Sequence, residues 1–336
     1  ADLIRIVFPY ILFVSLISLA GGVLNVFRQF AIPAFTPVLL NVAIIGAALF
    51  LAPYCDPPVK ALAWGVLIGG VAQLPTLRFD LRDEGVGRVR AAMGSAVRGV
   101  SAAQISALIN TQLAAALGDG RISWITFADR LMEFPSALLG VALGTVLLPT
   151  LAKHHSDGDR AGYSSLLDWG LRLAFLLALP AAVALWVLAV PLVSTLYHYG
   201  RFTVNDVLMT RQALLGYSVG LLGFLLVQIL APGFYARQNM KTPVKIAFVT
   251  VLVAQTFAVV LMFPLGHAGL TLSTSIGACL NASLLFWFLR KQGIYTPRPG
   301  WLLFVARTVV ALFVLGALLL AIAGPASLWL EATLWT

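Results

Sequence analysis

The stretch 301–323, WLLFVARTVVALFVLGALLLAIA, carries one charged residue, Arg307, and is otherwise almost entirely apolar. A helix needs about 20 mostly apolar residues to cross the hydrocarbon core of a bilayer, so this stretch predicts a transmembrane helix. Comparable stretches fill most of the chain and predict about ten spans in all. Their approximate bounds are 4–27, 34–54, 59–77, 92–117, 123–151, 165–193, 207–234, 243–264, 268–290 and 301–323.

The composition supports this interpretation. Hydrophobic residues make up 60% of the chain, charged residues only 10%, and the mean hydropathy is +0.94. A soluble domain usually has about 25% charged residues. Porin-like strands would show short alternating segments of about ten residues, a pattern that this sequence lacks. We therefore predict an all-α, polytopic membrane protein.

The basic residues lie mainly in alternate loops, which predicts the orientation of the chain. One set of loops holds 13 cations, whereas the other holds three: Lys60, Arg121 and Arg201. Under the positive-inside rule, the cation-rich set faces the cytoplasm. This placement accounts for the net charge of +9 without a nucleic-acid partner. The cation-rich set comprises Arg28, Arg78, Arg82, Arg88, Arg90, Lys153, Arg160, Arg237, Lys241, Lys245, Arg290, Lys291 and Arg298.

The chain also resembles itself at an offset of about 208 residues, a pattern common in transporters built from repeats. Three spans of the second half precede the segment that is equivalent to 4–27. We therefore expect three further helices before Ala1, which would complete a first lobe of six. The matching pairs are Arg28-Gln29 with Arg237-Gln238, Ile68-Gly69 with Ile276-Gly277, and Gln73 with Asn281.

The strongest candidate site is Asp129-Arg130 with Glu133, inside the predicted span 123–151. Charges at that depth are costly to insert and usually face a pathway. Arg130 and Glu133 are three residues apart, so they can pair on one helix face. They could form a charged wall of a central cavity, with Arg130 presenting a planar fork to a phosphate or carboxylate. The alternative is an ion pair that locks two helices together.

Polar residues also decorate the preceding span, among them Arg98, Gln104 and Asn110. Ser106 and Asn110 lie near one helix face. Hydrogen bonds between helices and the lining of a cavity explain these residues equally well. Arg98 lies near the cytoplasmic end, where its side chain could extend to the interface.

Several kinds of chemistry find no support in the sequence. There is no phosphate-binding glycine–lysine loop, which argues against ATP hydrolysis by this chain. The histidines, including the adjacent pair His154-His155, lack metal-ligand spacing, and Cys55 and Cys279 have no partner motif. We therefore predict a transporter rather than an enzyme, without a metal or cofactor.

Particular stretches resemble the MurJ (MviN) family, the lipid II flippases of bacterial peptidoglycan synthesis. This family belongs to the multidrug/oligosaccharidyl-lipid/polysaccharide (MOP) exporter superfamily. The stretches that carry the resemblance are Ile32–Pro37 before Asn41, Ser123–Pro135 (SWITFADRLMEFP), Gly140–Thr145 and Ala231–Lys245 (APGFYARQNMKTPVK).

The resemblance implies a two-lobed fold of fourteen helices when intact, of which this chain would hold helices four to thirteen. Residues 1–78 would be the rest of the N-lobe, 79–91 a cytoplasmic linker, 92–290 the C-lobe, and 291–336 helix thirteen and a tail. The location would be the bacterial inner membrane, with lipid II, membrane lipids and possible cell-wall synthesis proteins as partners. Lipid II, a lipid-linked disaccharide-pentapeptide, would cross the membrane by alternating access.

The resemblance also implies roles for individual residues. Arg130 and Glu133 match family positions that are needed for function, and Ser123 matches a cavity position. Asp129 would help to hold and reset this site. The alternatives are a flippase for another polyprenyl-linked oligosaccharide, a drug or cation antiporter, and, from another class, a scaffold for cell-wall enzymes.

Overall fold

A computed structural model of the chain describes residues 6–10, 13, 14, 17, 31–73, 106–118 and 120–331. The chain divides into two compact units, Ala1–Ala92 and Met93–Thr336. Within the described ranges, every regular element is a helix. The all-α prediction is confirmed.

Within each described range, the helices follow one another with short connections. The first unit contributes α1 (Ala31–Phe50), a 3-10 turn (Ala52–Tyr54) and α2 (Val59–Gln73). The second unit contributes α3 (106–116), α4 (Arg121–Ser156), α5 (Arg160–Val187), α6 (Ala189–Tyr197), α7 (Val204–Leu230), α8 (Pro232–Tyr235), α9 (Lys241–Leu265), α10 (His267–Lys291), α11 (Trp301–Ala323) and α12 (Ala326–Glu331).

The predicted spans that fall in the described ranges each coincide with a helix. Five segments are long and apolar enough to cross a membrane: α5, α7 continued through α8, α9, α10 and α11. Helices α1 and α2 contribute shorter apolar segments. Most of the predicted span 4–27, the first part of 92–117 and the end of 59–77 lie outside the described residues.

The predicted span 165–193 is wrong at its end. Helix α5 stops at Val187, and a separate helix, α6, begins at Ala189. Pro191 explains the break, because proline has no N–H to donate to the carbonyl of Val187 and its ring crowds that turn. Proline is tolerated in the first turn of a new helix, which is where Pro191 lies.

Helix α7 is the centre of the second unit, and it contacts α4, α5, α6, α8 and α10. Two clusters of buried side chains run along it. The first contains Leu167, Leu171, Ile229, Leu230 and Phe234, and the second contains Val193, Val207, Leu214, Leu221 and Leu225. The core of this unit therefore lies around α7 along its whole length.

The closest packing in this unit is between α7 and α10. A Cβ atom added at Gly220 would collide with Ser275, and one added at Gly223 would lie 2.7 Å from the backbone nitrogen of Cys279. The close approach lets the hydroxyl of Ser275 donate a 2.7 Å hydrogen bond to the carbonyl of Gly216. Small residues at helix interfaces allow this kind of contact in membranes.

The internal repeat has a structural counterpart. In the first unit, a Cβ atom added at Gly69 of α2 would lie 3.1 Å from the Cα of Leu40 in α1. In the second unit, one added at Gly277 of α10 would lie 2.8 Å from the Cβ of Ala254 in α9. Both glycines thus lie where a helix crosses the one before it, which supports the offset of about 208.

We predict that Gly220→Ala lowers the free energy of unfolding by about 1–3 kcal/mol, because the added methyl group overpacks the contact with Ser275. The matched control is Gly316→Ala in α11, where the nearest atom would be Val183 Cγ1 at 3.6 Å. Both variants gain the same helix propensity, so their difference isolates the clash. Thermal unfolding in detergent measures it, and equal midpoints for the two variants would contradict the prediction.

Candidate functional site

Helix α4 carries the main predicted site, and its residues lie at different positions around the helix axis. It begins after Gly120, whose φ of 81° is a left-handed conformation that favours glycine. Successive side chains are rotated by about 100° around the axis. Ala128 and Met132, four residues apart, are buried in the core beside α7. The neighbouring positions therefore point to either side of this buried face.

On one side of that face, α4 lines a cavity of about 650 Å³ together with α3, α7, α9 and α10. Asp129 of α4 is the charged residue of the lining, and Asn110 of α3 also belongs to it. The other polar residues of the lining are Ser106, Thr111, Thr126, Ser136, Tyr217, Gln228, Thr250, Thr271, Thr274 and Asn281.

Amide side chains join the helices around this cavity. The Nε2 atom of Gln255 in α9 donates to Ser106 Oγ at 2.6 Å and to Asn110 Oδ1 at 3.2 Å. The Nδ2 atom of Asn110 in turn donates to Thr274 Oγ1 in α10 at 3.4 Å. Asn110 therefore both lines the cavity and bonds between helices, which combines the two alternatives drawn from the sequence.

The sequence analysis missed two amides at this cavity. Gln255 holds α3 against α9, and the Nε2 atom of Gln228 in α7 donates to the carbonyl of Ser136 in α4 at 3.4 Å. The available signal was a single amide in each of two mainly apolar runs, 213–234 and 246–265. Such residues are costly in hydrocarbon unless they find a partner.

Arg130 and Glu133 border the cavity-lining positions of α4, because Arg130 follows Thr126 by four residues and Glu133 follows Asp129 by four. The Nη1 atom of Arg130 lies 2.9 Å from Glu133 Oε2, and the two side chains are 68% and 55% exposed. Ser123 is also exposed and lies seven residues before Arg130, on the same side of the helix. Of the four predicted residues on α4, Asp129 belongs to the cavity lining, whereas Arg130, Glu133 and Ser123 lie beside it.

Two further predicted positions, Arg98 and Gln104, lie outside the described residues. The predicted linker 79–91 also lies outside them.

Asp168 of α5 is a buried charge with a structural role. Its Oδ1 atom accepts hydrogen bonds from the hydroxyl of Tyr295 at 2.7 Å, from Trp301 Nε1 at 2.7 Å and from the backbone N–H of Arg298 at 3.2 Å. Its Oδ2 atom accepts from Arg172 Nε at 2.8 Å. This carboxylate fastens the connection between α10 and α11 to α5.

The cation-rich connections, which were predicted to face the cytoplasm, lie together at one end of the second unit. The hydroxyl of Tyr163 donates to the carbonyl of Gly233 at 2.6 Å, and the backbone N–H of Thr296 donates to Ser164 Oγ at 3.0 Å. These contacts join the cation-rich connections 156–160, 231–241 and 291–301. Their position at one end agrees with the prediction that alternate loops lie on the same side of the membrane.

The opposite end is closed by a different group of side chains. Trp124 Nε1 of α4 donates to Asp206 Oδ1 of α7 at 2.8 Å, and its ring lies 5.3 Å from that of His267. Asp206 also accepts from the backbone N–H and the hydroxyl of Thr203, and so completes the cap of α7. Asp206 is therefore bound by Thr203 and Trp124.

The chain is similar to known proteins over nearly its whole length. A family model described as lipid II flippase MurJ matches residues 1–332. A relative from Burkholderia cenocepacia, named lipid II flippase MurJ, is 54% identical over 332 residues, which cover 94% of this chain and 64% of that protein. A probable lipid II flippase MurJ from Haemophilus influenzae is 41% identical, with 94% and 65% covered.

The chain belongs to the MurJ family.

It spans 64% and 65% of the length of those two MurJ relatives. A solved structure of lipid II flippase MurJ in an inward closed conformation has a TM-score of 0.74 at 21% identity, with 94% of this chain and 73% of that one covered. A MATE transporter from Vibrio cholerae has a TM-score of 0.60 at 15% identity, with 82% and 66% covered. These likenesses show that the chain shares the helical fold of those two transporters. MurJ family membership and the apolar helices identify a multi-pass protein of the bacterial inner membrane.

We predict that the cavity beside Asp129 admits water. In a variant without native cysteines (Cys55→Ala and Cys279→Ala), Thr126→Cys on the cavity lining should react with a small water-soluble maleimide, because a polar, roomy site holds water. The control is Ala174→Cys, because Ala174 is fully buried in the core. Mass spectrometry of the labelled protein measures the difference. Equal labelling at the two positions, or none at Thr126→Cys, would sink the prediction.

Proposed function

We propose that this chain forms the larger part of a lipid II flippase, a transporter rather than an enzyme, which works by alternating access. Membership of the MurJ family and the names of the relatives support lipid II as the cargo. The repeat of helix pairs supports the mechanism, because transporters with internal repeats commonly move one bundle against the other around a fixed site. In this proposal, residues 1–78 are the remaining N-lobe, 79–91 the linker, 92–290 the C-lobe, and 291–336 helix thirteen with its tail.

The observation that carries the proposal is the exposed ion pair of Arg130 and Glu133, placed on a helix that the sequence predicts to span the membrane. An ion pair that served only to lock two helices would be enclosed by its neighbours. Instead, both side chains are more than half exposed. A guanidinium group has five N–H donors, and its bond to Glu133 uses one of them. Arg130 can therefore keep its partner and still bind an anion.

Lipid II offers the anion that suits this group, namely a pyrophosphate. Arginine binds phosphate oxygens through two parallel hydrogen bonds, which fix direction as well as position. Glu133 would hold the guanidinium in place between cargo molecules and compete with the pyrophosphate at release. Ser123, on the same side of α4, would add a hydroxyl donor near the cargo.

Asp129 has a separate role in this proposal. It faces the cavity within the second unit, which Asn110 of α3 and Gln228 of α7 also line, and Gln255 of α9 bonds to Asn110 beside it. Hydrogen bonds of this kind can be exchanged as helices shift, at a cost of about 0.6 kcal/mol each on average. We infer that Asp129 and these amides let the C-lobe change shape between the two states.

We predict that Arg130→Ala in the full-length protein abolishes flipping while its level in the membrane stays unchanged. A charge-assisted hydrogen bond contributes about 1.5–3 kcal/mol, so its loss should reduce transport at least about tenfold. The measurement is the amount of lipid II that a membrane-impermeant reagent reaches at the outer face, in cells depleted of the native protein. Arg130→Lys should restore only part of the activity, because lysine lacks the planar fork.

The matched control is Arg201→Ala, which removes an exposed cation from the connection before α7 and should restore full activity. Normal lipid II exposure with Arg130→Ala, at equal expression, would refute the proposed role of Arg130. Unchanged exposure after depletion of the protein itself would redirect the assignment to another polyprenyl-linked cargo or to a scaffold.

A further inference from the structure

A second polar cavity, of about 280 Å³, lies at the cation-rich end of the second unit. It is bounded by the end of α4, the start of α5, the connection after α8 and the connection after α10. Two guanidinium groups, those of Arg160 and Arg237, line it together with the rings of His154 and His155. Cations from distant parts of the sequence thus meet in one concave site.

The carboxylate in this cavity is already engaged. Asp159 Oδ1 accepts from the backbone N–H of Gly162 at 2.8 Å, and Oδ2 lies 3.0 Å from His154 Nδ1. The bond from Gly162 is the main reason that the pKa of Asp159 is lowered, so the carboxylate stays ionised at neutral pH. Asp159 caps α5 and holds His154, and it offsets only one of the two arginine charges.

Aromatic side chains around this end mark the level of lipid headgroups. The Nζ atom of Lys291 lies 4.8 Å from the ring centroid of Trp287, which is half exposed at the end of α10. Tyr235 is partly exposed two residues before Arg237, and Trp169 is half exposed on α5. Tryptophan and tyrosine concentrate at membrane–water interfaces, so the cavity lies at the depth of phosphate groups.

We propose that this cavity binds the phosphate of an anionic phospholipid of the cytoplasmic leaflet. Basic pockets at the cytoplasmic ends of membrane helices suit such headgroups, and that leaflet is rich in anionic lipid. The aromatic belt and the apolar helix faces beside it favour a lipid over a free phosphate, because they accommodate the acyl chains. His155 and Gln292 complete the polar lining with further hydrogen-bonding groups.

This site is distinct from the one proposed for the cargo. Arg130 and His154 are separated by 24 residues of the same helix, or about 36 Å along its axis. A phospholipid held at the end of α4 would fasten the connections of α4, α8 and α10 to one another. It would therefore stabilise the C-lobe without occupying the position proposed for lipid II.

The test uses the purified full-length protein in detergent, with thermal unfolding followed as lipid is added. Dioleoyl phosphatidylglycerol should raise the unfolding midpoint, whereas dioleoyl phosphatidylcholine and inorganic phosphate at equal concentration should have little effect. The double variant Arg160→Ala with Arg237→Ala should weaken the apparent affinity for phosphatidylglycerol by about 10- to 30-fold, since each cation near an anionic surface contributes about fivefold.

Two controls separate this site from general charge and from the cargo site. Arg298→Ala removes a cation at the same end but outside the cavity lining, and Arg130→Ala alters the proposed cargo site; both should keep the wild-type response to phosphatidylglycerol. The double variant Arg160→Lys with Arg237→Lys should keep part of the response. An unfolding midpoint at the wild-type value in the absence of lipid shows that the double alanine variant is folded.

An unchanged response in the double alanine variant would overturn the proposal. So would an equal loss with Arg298→Ala, which would indicate attraction to the surface as a whole. Saturation of the effect by inorganic phosphate alone would overturn the lipid assignment. None of these outcomes depends on whether Arg130→Ala stops flipping, so the two proposals fail independently.

Discussion

The close contact between α7 and α10 is the constraint on which the second unit depends. Between helices in a bilayer the hydrophobic effect contributes little, because lipid tails are as apolar as leucine, so packing and hydrogen bonds must hold them together. Gly220 and Gly223 bring the two backbones close enough for Ser275 to bond to the carbonyl of Gly216. With α10 fixed there, α7 presents its other sides to α4 and α5. The cavity beside Asp129 is lined by residues of α4, α7 and α10, together with α3 and α9.

Much of the fold followed from the length and hydropathy of the segments. The stretch 301–323 was predicted at the bounds that the helix has, and the other described spans agree to within several residues. The end of span 165–193 was wrong because hydropathy does not distinguish one long apolar helix from two in succession. Pro191 was the available signal, and its missing hydrogen bond outweighed the continuous apolar pattern.

The candidate site was predicted less completely. An intramembrane charge is visible in the sequence, and so is the spacing that lets Arg130 pair with Glu133, as the structure confirms. The separate placement of Asp129 depends on which face of α4 packs against α7, and that is a tertiary property. Gln255 and Asn110 are 145 residues apart, and no local pattern relates them. Their contact exists only because α3 and α9 lie side by side.

Structural charges differ from candidates for cargo binding in how fully hydrogen-bond partners surround them. Asp168 is almost completely buried, and four donors surround its two oxygens: Arg172 of the same helix, Tyr295 and Arg298 of the following connection, and Trp301 of α11. It therefore has no capacity for a ligand. Removing one partner from such a group leaves an uncompensated buried charge, which is why these clusters are rigid. Arg130 is the opposite case, because within the described part of the chain it bonds to Glu133, and its side chain is 68% exposed. A transporter must bind its cargo and release it, so its cargo-binding charges have to remain incompletely satisfied in the empty state. The pair on α4 meets that requirement, whereas the Asp168 cluster does not.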